Sequence, residues 1–595
     1  MSDDRPLPHL ARHLGALLGE LAGQHAPLVA AAADAALTAF ADGDVCTGLG
    51  SLDQHGDATT VRRQLLASAA VCTADAAASA PAPLVLDAAD RLYLLRHFRD
   101  EQALLQFVSQ RLAAAPRHPP ATLRAGLADL GLLPEPPRAD RQLAAIVAAV
   151  SGSFTVLTGG PGTGKTYTIA RLLALLLHLE PSTRIALCAP TGKAASRLQE
   201  ALHQAASTLP PLADARIQSA TLHRLLGYLP LDDTFRSGPD RMLPFDVVVV
   251  DEASMAEPAL LAWLCSALSP TARLVLVGDQ DQLAAVGAGQ VLGDLCAAAR
   301  PHLGVGPQLA EQVAAATGAR LPVQANAAPI ADAVVALTQN HRFAAQPGIG
   351  AFAQALARRD QVAALAALQA GHADLQPVPR IEAGLESLAE TFAAMRDAAE
   401  AGDAAQALHW QRQGRVLTAG RSGPHGAEGL NRRVERLLAA RGHFVGGDSY
   451  PGRPILVTAN DHQSQIYNGD LGVVVRHDGQ TKVAFDGPGG PRLVPLLRVP
   501  THETAWAMTV HKAQGSEFAQ VLLVMPDQDS PLWQAALVYT GITRARQRAI
   551  LCADPTLLAA GLQRWPTRRS GLAAGLAAGT TTAGGRAQPP STGTS

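Results

Sequence analysis

Charge is scarce in this chain of 595 residues. Only 17% are Asp, Glu, Lys or Arg, against roughly a quarter in an ordinary globular protein. The net charge is −2 and the pI about 6.8. No global basic field coats the molecule, which argues against a chromatin-type or coating role and leaves room only for a local nucleic-acid groove. Cysteine is scarce too. Cys46, Cys72, Cys188, Cys265, Cys296 and Cys552 lie far apart with no CxxC pair, which speaks against zinc or iron–sulfur centres and suits a reducing compartment. The N-terminus, MSDDRPLPHL, carries no secretory pattern, and the apolar run at 172–179 is far too short to span a bilayer. A soluble, cytoplasmic protein with no membrane partner is expected. Nor is there a convincing constellation of nuclease carboxylates. Alanine, by contrast, pervades every segment as a compositional bias, and the length calls for several domains.

Against that background one stretch stands out: Gly159-Gly160-Pro161-Gly162-Thr163-Gly164-Lys165-Thr166. It follows an apolar, β-branched run and opens a helical pattern that stops at Pro181, the strand–loop–helix context of a nucleoside-triphosphate P-loop. Its glycines let successive N–H groups face a triphosphate, and the helix adds its positive end. Lys165 would reach the β/γ-phosphates and the Thr166 hydroxyl a Mg²⁺ ion.

The rest of the chain supplies candidates in order. Residues 1–115 read as a small helical domain with one hairpin around Asp87–Asp90, and 116–140 as a proline-rich linker. Gln142, just past it, can present its amide to adenine's edge, though alone it reads as a surface helix residue. A buried strand runs into Pro190-Thr191-Gly192-Lys193, an anion-facing loop suited to a second phosphate, such as that of a nucleic-acid backbone. His223, between leucines, reads by itself as a packed or capping residue. The strand ending in Asp251-Glu252 offers one carboxylate for Mg²⁺ and one to orient the attacking water. Gln282 closes Gly278-Asp279-Gln280-Asp281-Gln282, where an amide can sense a γ-phosphate. Alternating strands and helices make a doubly wound parallel sheet the economical fold for 141–335, with 300–335 a connecting insertion. The second half, 336–567, has no P-loop. Its Arg342 and Arg544 can close over the first half's nucleotide as arginine fingers, or serve as surface ion-pair partners. Between about 440 and 500 short strands with Asn468-Gly469 and Asp478-Gly479 turns suggest a small antiparallel barrel. Residues 568–595, beyond a short Ser570-Gly571-Leu572 stretch, are expected to be disordered.

Taken together, GGPGTGKT, APTGKAASRL, TLHRLLG, VVVVDEASM, LVGDQDQL, NHRF, YNGDLG, AWAMTVHKAQGSEF and LVYTGITRAR, in this order, resemble the superfamily-one DNA helicases, and within them the RecD family, the alpha subunits of RecBCD enzymes (exodeoxyribonuclease V). RRSGLAAGL near the C-terminus also looks RecD-like. The resemblance runs over nearly the whole chain. It implies an α/β architecture of two RecA-like domains, an SH3-like β-barrel insertion and an N-terminal helical domain that docks partners. ATP would bind between the RecA-like domains, with single-stranded DNA crossing above. It further implies Gln142 as adenine reader and Gly159, Gly160, Pro161, Gly162, Thr163, Gly164, Lys165 and Thr166 as the phosphate cradle. Asp251 would hold Mg²⁺ with Thr166, and Glu252 would activate water. Gln282 would couple the γ-phosphate to DNA, Arg342 and Arg544 would be the fingers, and Glu517 would face the nucleotide. Thr191, Lys193, Thr221, His223, Thr509 and His511 match DNA-contact positions. The same resemblance implies 5′→3′ translocation, action on double-strand DNA ends for recombinational repair, and a heterotrimer with RecB-like and RecC-like subunits. Nuclease activity would belong to a partner, and the length favours this branch over longer stand-alone relatives. Tyr167 departs from the small residue usual after GKT; that leaves phosphate binding intact but bears on packing around the base.

Overall fold

Val247 to Val250 are four valines in succession, and all four are buried. Side chains alternate along a strand, so Val247 and Val249 enter one apolar layer and Val248 and Val250 the other. Each such burial contributes roughly 1.5–3 kcal/mol. A strand covered on both faces belongs inside a parallel sheet. The computed structural model, which describes residues 7–579 except 214, 343–346, 462–463 and 488, shows that sheet. Its order is Val334–Leu337, Phe154–Gly159, Arg273–Gly278, Val247–Val250, Ile185–Ala189, Ile217–Thr221, every pair parallel. The helices Arg141–Ser151, Lys165–Leu179 and Pro307–Thr317 cover one face. Leu95–Leu112, Pro258–Ala267 and Val291–Ala299 cover the other.

Three expectations change here. Val334–Leu337 pairs with the P-loop strand, so the boundary placed after residue 335 falls inside a strand of the first sheet, and Arg342 follows directly from that sheet. Residues 300–335 are more than a connection: Val305, Leu309, Val313 and Ala316 are core residues. The proline-rich 116–140 segment is also packed down. Its helix Pro120–Asp129 buries Leu123 and Leu127 in the same layer. Its His118 Nε2 lies 2.8 Å from Glu180 at the end of the P-loop helix, a carboxylate also 2.6 Å from the fully buried Arg273. The Arg273 hydrogen bonds, ahead of His118, hold that carboxyl down at about 2.

The second sheet is again wholly parallel, in the order Leu375–Val378, Ala545–Cys552, Phe518–Val524, Gly414–Thr418, Ala507–Thr509. Between its strands is inserted a five-stranded antiparallel sheet, ordered Arg492–Pro495, Gln480–Phe485, Leu471–His477, Pro454–Val457, His502–Thr504. Among the described residues its outer strands do not pair, so no closed SH3-like barrel is established. Asp478 (φ 51°) and Gly479 (φ 73°) form the expected two-residue hairpin between His477 and Gln480. Asn468-Gly469 is instead a turn within a longer connection, with the Asp470 N–H donating to the Tyr467 carbonyl.

The N-terminal region holds the anticipated hairpin, Leu84–Leu86 with Arg91–Leu94. Two more three-residue strands, Cys46–Gly48 and Val71–Thr73, extend it to a four-stranded sheet within the helices. At the other end, residues 573–579 are not the free tail expected. Leu572–Ala578 is a helix whose Leu572 and Leu576 enter the layer behind the first sheet; the expected disorder from 580 onward falls outside the described residues. No helix among the described residues is long and apolar enough to cross a membrane. An isolated helix this short has no stability of its own, so docking must hold it. Leu576→Ala, at a side chain 3% exposed, should cost about 2–4 kcal/mol. Native-state hydrogen exchange of amides 574–579 should then speed up about a hundredfold.

Candidate active site

The loop after Phe154–Gly159 turns into its helix through Gly162 (φ 79°) and Gly164 (φ 86°), a left-handed backbone that side chains rarely adopt. The space also requires glycine. A Cβ on Gly162 would strike Arg342, and one on Gly164 the Gln142 amide. Gln142 is aimed by Asp140, which caps helix Arg141–Ser151, and its Nε2 donates to the Thr163 carbonyl at 3.2 Å. It therefore lies on the phosphate loop. Lys165 folds back, its ammonium donating to the Gly159 carbonyl at 2.6 Å and the Gly160 carbonyl at 3.2 Å. An anion in the loop offers that ammonium a stronger, charge-assisted partner. Thr166 is exposed at the helix start. Tyr167 is half exposed and carries the Arg171 guanidinium 3.8 Å over its ring.

Asp251 and Glu252 terminate Val247–Val250 at the same sheet edge. Glu252 sits at φ 51°, its N–H donating to Asp251 Oδ1 at 2.9 Å. Burial first, and the Glu252 charge second, push the Asp251 carboxyl up, with Lys165 pulling it back. A hard cation beside Asp251 and the Thr166 hydroxyl would relieve that penalty. Among the described residues no group of three or more His, Cys, Asp or Glu could hold a metal by itself. The remaining ligands would be phosphate oxygens and water, as suits Mg²⁺.

The far wall comes from two sources. Asn340 Nδ2 donates to the Pro161 carbonyl at 2.6 Å, and the His341 N–H to that of Gly162 at 2.9 Å. Arg342 is thus fastened to the phosphate loop from its own sheet, which corrects its assignment to the second domain. Phe343 of the same motif lies outside the described residues. From the second unit comes Glu517, 2.6 Å from the Arg342 Nη1. Burial would raise this carboxyl, but Arg342, then Arg544 and Arg197, hold it below its usual range. Arg544 is 3% exposed and donates to the Thr540 carbonyl at 3.2 Å. Gln282 is buried, with Nε2 donating to Asp279 Oδ2 at 3.0 Å and Oε1 lacking any partner among the described residues. A buried amide half satisfied in this way is suited to a ligand that completes it.

Sequence reasoning missed the residues joining the units. Tyr539, buried in helix Ala535–Ile542, donates its hydroxyl to Asp279 Oδ2 at 3.0 Å, and that hydroxyl stands against Gly160. Thr540 Oγ1 accepts from the Leu283 N–H at 3.0 Å, and Gln514 Nε2 donates to the Leu283 carbonyl at 2.9 Å. Their only sequence signal was membership of the runs LVYTGITRAR and HKAQGSEF.

The remaining candidates line the carboxyl edges of both sheets. Thr191 and Thr221 cap helices Gly192–Ala205 and Leu222–Leu226, accepting from the N–H groups of Ala194 and Arg224. Thr509 accepts from the Lys512 N–H at 3.3 Å. Each hydroxyl keeps a proton to donate. Lys193 is half-buried between the units, its ammonium 2.9 Å from Ser516 Oγ, while Arg197 Nη1 reaches the Gly515 carbonyl at 2.7 Å. Water displaced by both walls, then the Arg197 charge, push the Lys193 amine down to about 7. His223 is exposed beside Tyr228 and Phe235, with ring centroids 5.5 Å and 5.9 Å away. His511 is half-buried; burial, then Arg568, lower its pKa.

One phosphate loop, paired acids and arginines at the meeting of two parallel sheets define a nucleotide-driven motor of the P-loop class. Residues 142–288 match an AAA domain, and 504–552 a UvrD-like helicase C-terminal domain. The RecBCD enzyme subunit RecD of Mycobacterium tuberculosis is 38% identical over 579 residues, 94% of this chain and 93% of that protein. The Mycolicibacterium smegmatis RecBCD enzyme subunit RecD is 40% identical over 81% of this chain and 82% of its own. The ATP-dependent RecD2 DNA helicase of Deinococcus radiodurans is 34% identical over 77% of this chain but 54% of its own. The chain belongs to the RecD family of DNA helicases.

Tyr539→Phe removes one donor from a buried carboxylate, a loss of about 1.5–3 kcal/mol. Stimulation of ATP turnover by single-stranded DNA should fall roughly tenfold or more, with the KM for ATP little changed. Steady-state turnover with and without an oligothymidylate measures both, and an unchanged stimulation ratio would leave the tyrosine a packing residue only.

Proposed function

We propose that the chain is an ATP-driven DNA motor, moving 5′→3′ along single-stranded DNA as the helicase subunit of a RecBCD-type complex that opens double-strand ends for recombinational repair. The observation that carries this reading is the single phosphate loop closed by a second parallel unit without one. In that arrangement binding and hydrolysis of one nucleotide change the grip of two domains on each other.

Lys165 leaves the Gly159 and Gly160 carbonyls for the β/γ-phosphates, and Gln142 addresses the adenine. Glu252 orients and deprotonates the attacking water. Arg342 exchanges Glu517 for the γ-phosphate, and with Arg544 neutralises charge on the transferring phosphoryl, a contribution worth roughly 10³–10⁵ in rate elsewhere. Thr166 and Asp251 would hold a Mg²⁺ ion, which would offset phosphate charge. Gln282 reports the γ-phosphate through Asp279 to Tyr539. The strand lies over Thr191, Lys193 and Thr221 with His223 on one unit and Thr509 with His511 on the other, and alternating grips ratchet it. Unwinding opposes this with about 1.4 kcal/mol per stacked step, a modest load per cycle. Identity of 38% with a RecBCD enzyme subunit RecD over 94% of this chain supports the subunit reading, with RecB-like and RecC-like partners, nuclease activity residing in a partner, and a cytoplasmic location.

Lys165→Gln should abolish DNA-stimulated ATP turnover while leaving the circular dichroism spectrum intact; substantial residual turnover would sink the reading. On tailed duplexes the wild-type chain should displace strands with 5′ but not 3′ tails. Lys193 supplies a pH signature. Its amine, depressed to about 7, is charged below that pH and must take up a proton to hold a phosphate above it. DNA affinity should therefore fall as pH rises from 7 to 9. Lys193→Arg, always charged, should flatten the profile in a fluorescence-anisotropy titration.

A further inference from the structure

The run RRSGLAAGL is bonded to parts of the chain far from it in sequence. Arg568 Nη1 donates to the Gly287 and Gly289 carbonyls, the latter at 2.7 Å. The Arg569 N–H donates to Asp44 Oδ1 at 2.7 Å, and the Arg569 carbonyl accepts from the Val45 N–H at 2.8 Å. Ser570 Oγ donates to Asp294 at 2.7 Å and the Gly571 N–H to Glu101 at 2.8 Å. Only glycine fits at 571, where a Cβ would strike the Glu101 carboxylate and the Tyr93 hydroxyl. Leu572 and Leu576 then enter the apolar layer behind the first sheet. This stretch is therefore anchored on the first α/β unit and the N-terminal region, although the second unit precedes it in the chain.

The second unit keeps its hold until just before this point. Helix Pro555–Leu562 buries Leu558 and Leu562 in that unit's core. The Arg564 carbonyl accepts from the Ala535 N–H at 2.8 Å, and its guanidinium pairs with Asp529, Nη2 to Oδ2 at 3.0 Å. Trp565 packs on the same core with the Arg359 guanidinium 3.3 Å over its ring. Between Trp565 and Arg568 stand only Pro566 and Thr567, which make no hydrogen bond among the described residues. Three peptide links reach at most about 11 Å. The two ends of this bridge flank one segment of the first unit: Arg359 stands 3.9 Å from Asp281, and Arg568 holds Gly287 and Gly289. That segment carries Gln282 and Leu283, whose N–H is bonded to Thr540 of the second unit.

We propose that the Pro566-Thr567 bridge is a tether that bounds the opening of the cleft. Its ends are fixed on opposite units with almost no slack, so the units cannot separate here and can only turn about it. Turning opens the cleft away from the tether, while the segment 279–289 stays against the second unit. A longer bridge would add conformations to the open state and none to the closed one, and so would favour opening. The same anchor holds Asp44 and Glu101, which joins the N-terminal region to the motion.

Hydrogen exchange of the full chain tests the tether without ATP or DNA, so a failure here leaves the motor reading standing. Inserting about six Gly/Ser residues between Pro566 and Thr567 keeps every anchor and makes the bridge about three times longer. One unit is then diluted at the other, and exchange of the Leu283 amide should quicken about fivefold. The Gly575 amide, inside the anchored helix, should keep its wild-type rate. Arg568→Ala, which loosens the first-unit anchor, should also quicken Leu283, and Arg568→Lys, which can still donate to a carbonyl, should restore most of the protection. Should the insertion fail to fold, the two Arg568 variants decide. Leu283 exchange unchanged by the insertion, or equal in Arg568→Ala and the wild type, overturns the proposal.

Discussion

A buried carboxylate sits at the centre of the bonds that join the two halves of this molecule. Asp279 is 1% exposed, and its oxygens receive the Asp281 N–H at 3.1 Å, the Gln282 amide at 3.0 Å and the Tyr539 hydroxyl at 3.0 Å. Two of these donors come from the first α/β unit and the third from the second. Parting the units would strip the third from a group that cannot remain buried and unpaired without a penalty of about 1–3 kcal/mol or more. It would also free the Leu283 N–H and carbonyl from Thr540 and Gln514. Opening the interface would therefore require water to replace the missing partners. On the proposed reading, Gln282 is the member of this network that senses the nucleotide: its unsatisfied Oε1 can accept from the attacking water, whereas a γ-phosphate oxygen would take the Nε2 donor now on Asp279.

The same logic governs the arginines. Arg342 is anchored through Asn340 and His341 to the phosphate loop and paired with Glu517 across the interface. Its charge is thus supplied by the nucleotide-binding unit and restrained by the other. On the proposed reading, hydrolysis turns on a change in which anion, Glu517 or phosphate, is the better partner for Arg342. This differs from the expectation of two fingers closing from the second domain: one arginine is resident, and the other, Arg544, comes with the partner unit.

Legibility in the sequence followed the strength of local signals. Val247–Val250 and the P-loop strand read plainly because β-branched runs bounded by glycine or acid have few other folds. Val334–Leu337 did not, since four residues beside alanine and Gly/Pro breaks show no period, and only pairing with Phe154–Gly159 reveals which sheet owns them. The N-terminal strands, three or four residues each, are too short for alternation to emerge. Leu572 and Leu576 sit one helical turn apart in a run otherwise of Ala and Gly, a composition that argues for disorder until an apolar layer is available to receive them. At the cleft, the motif residues were legible because their chemistry demands particular side chains. Tyr539 was not, because a buried tyrosine reads as packing until its hydroxyl is seen on a carboxylate.

The choice between the two cations bears on where the cleft's work is done. Of 49 basic residues only four are lysines: Lys165, Lys193, Lys482 and Lys512. Three of them, Lys165, Lys193 and Lys512, lie at the carboxyl edges of the two sheets. Arginine satisfies nearly every other demand for positive charge here, from Arg273 buried against Glu180 to Arg342 on Glu517. A planar fork is well matched to a carboxylate but cannot shed its proton, whereas an ammonium is a compact point charge whose pKa moves with its surroundings. On the proposed reading, Lys165 leaves two backbone carbonyls 2.6 Å and 3.2 Å away for a phosphate. Lys193 holds Ser516 with an amine lowered to about 7, so its charge is set by what lies in the cleft. On the proposed reading, a phosphate beside Lys193 would draw this amine toward its charged form, so binding of the strand and protonation of the lysine would favour one another.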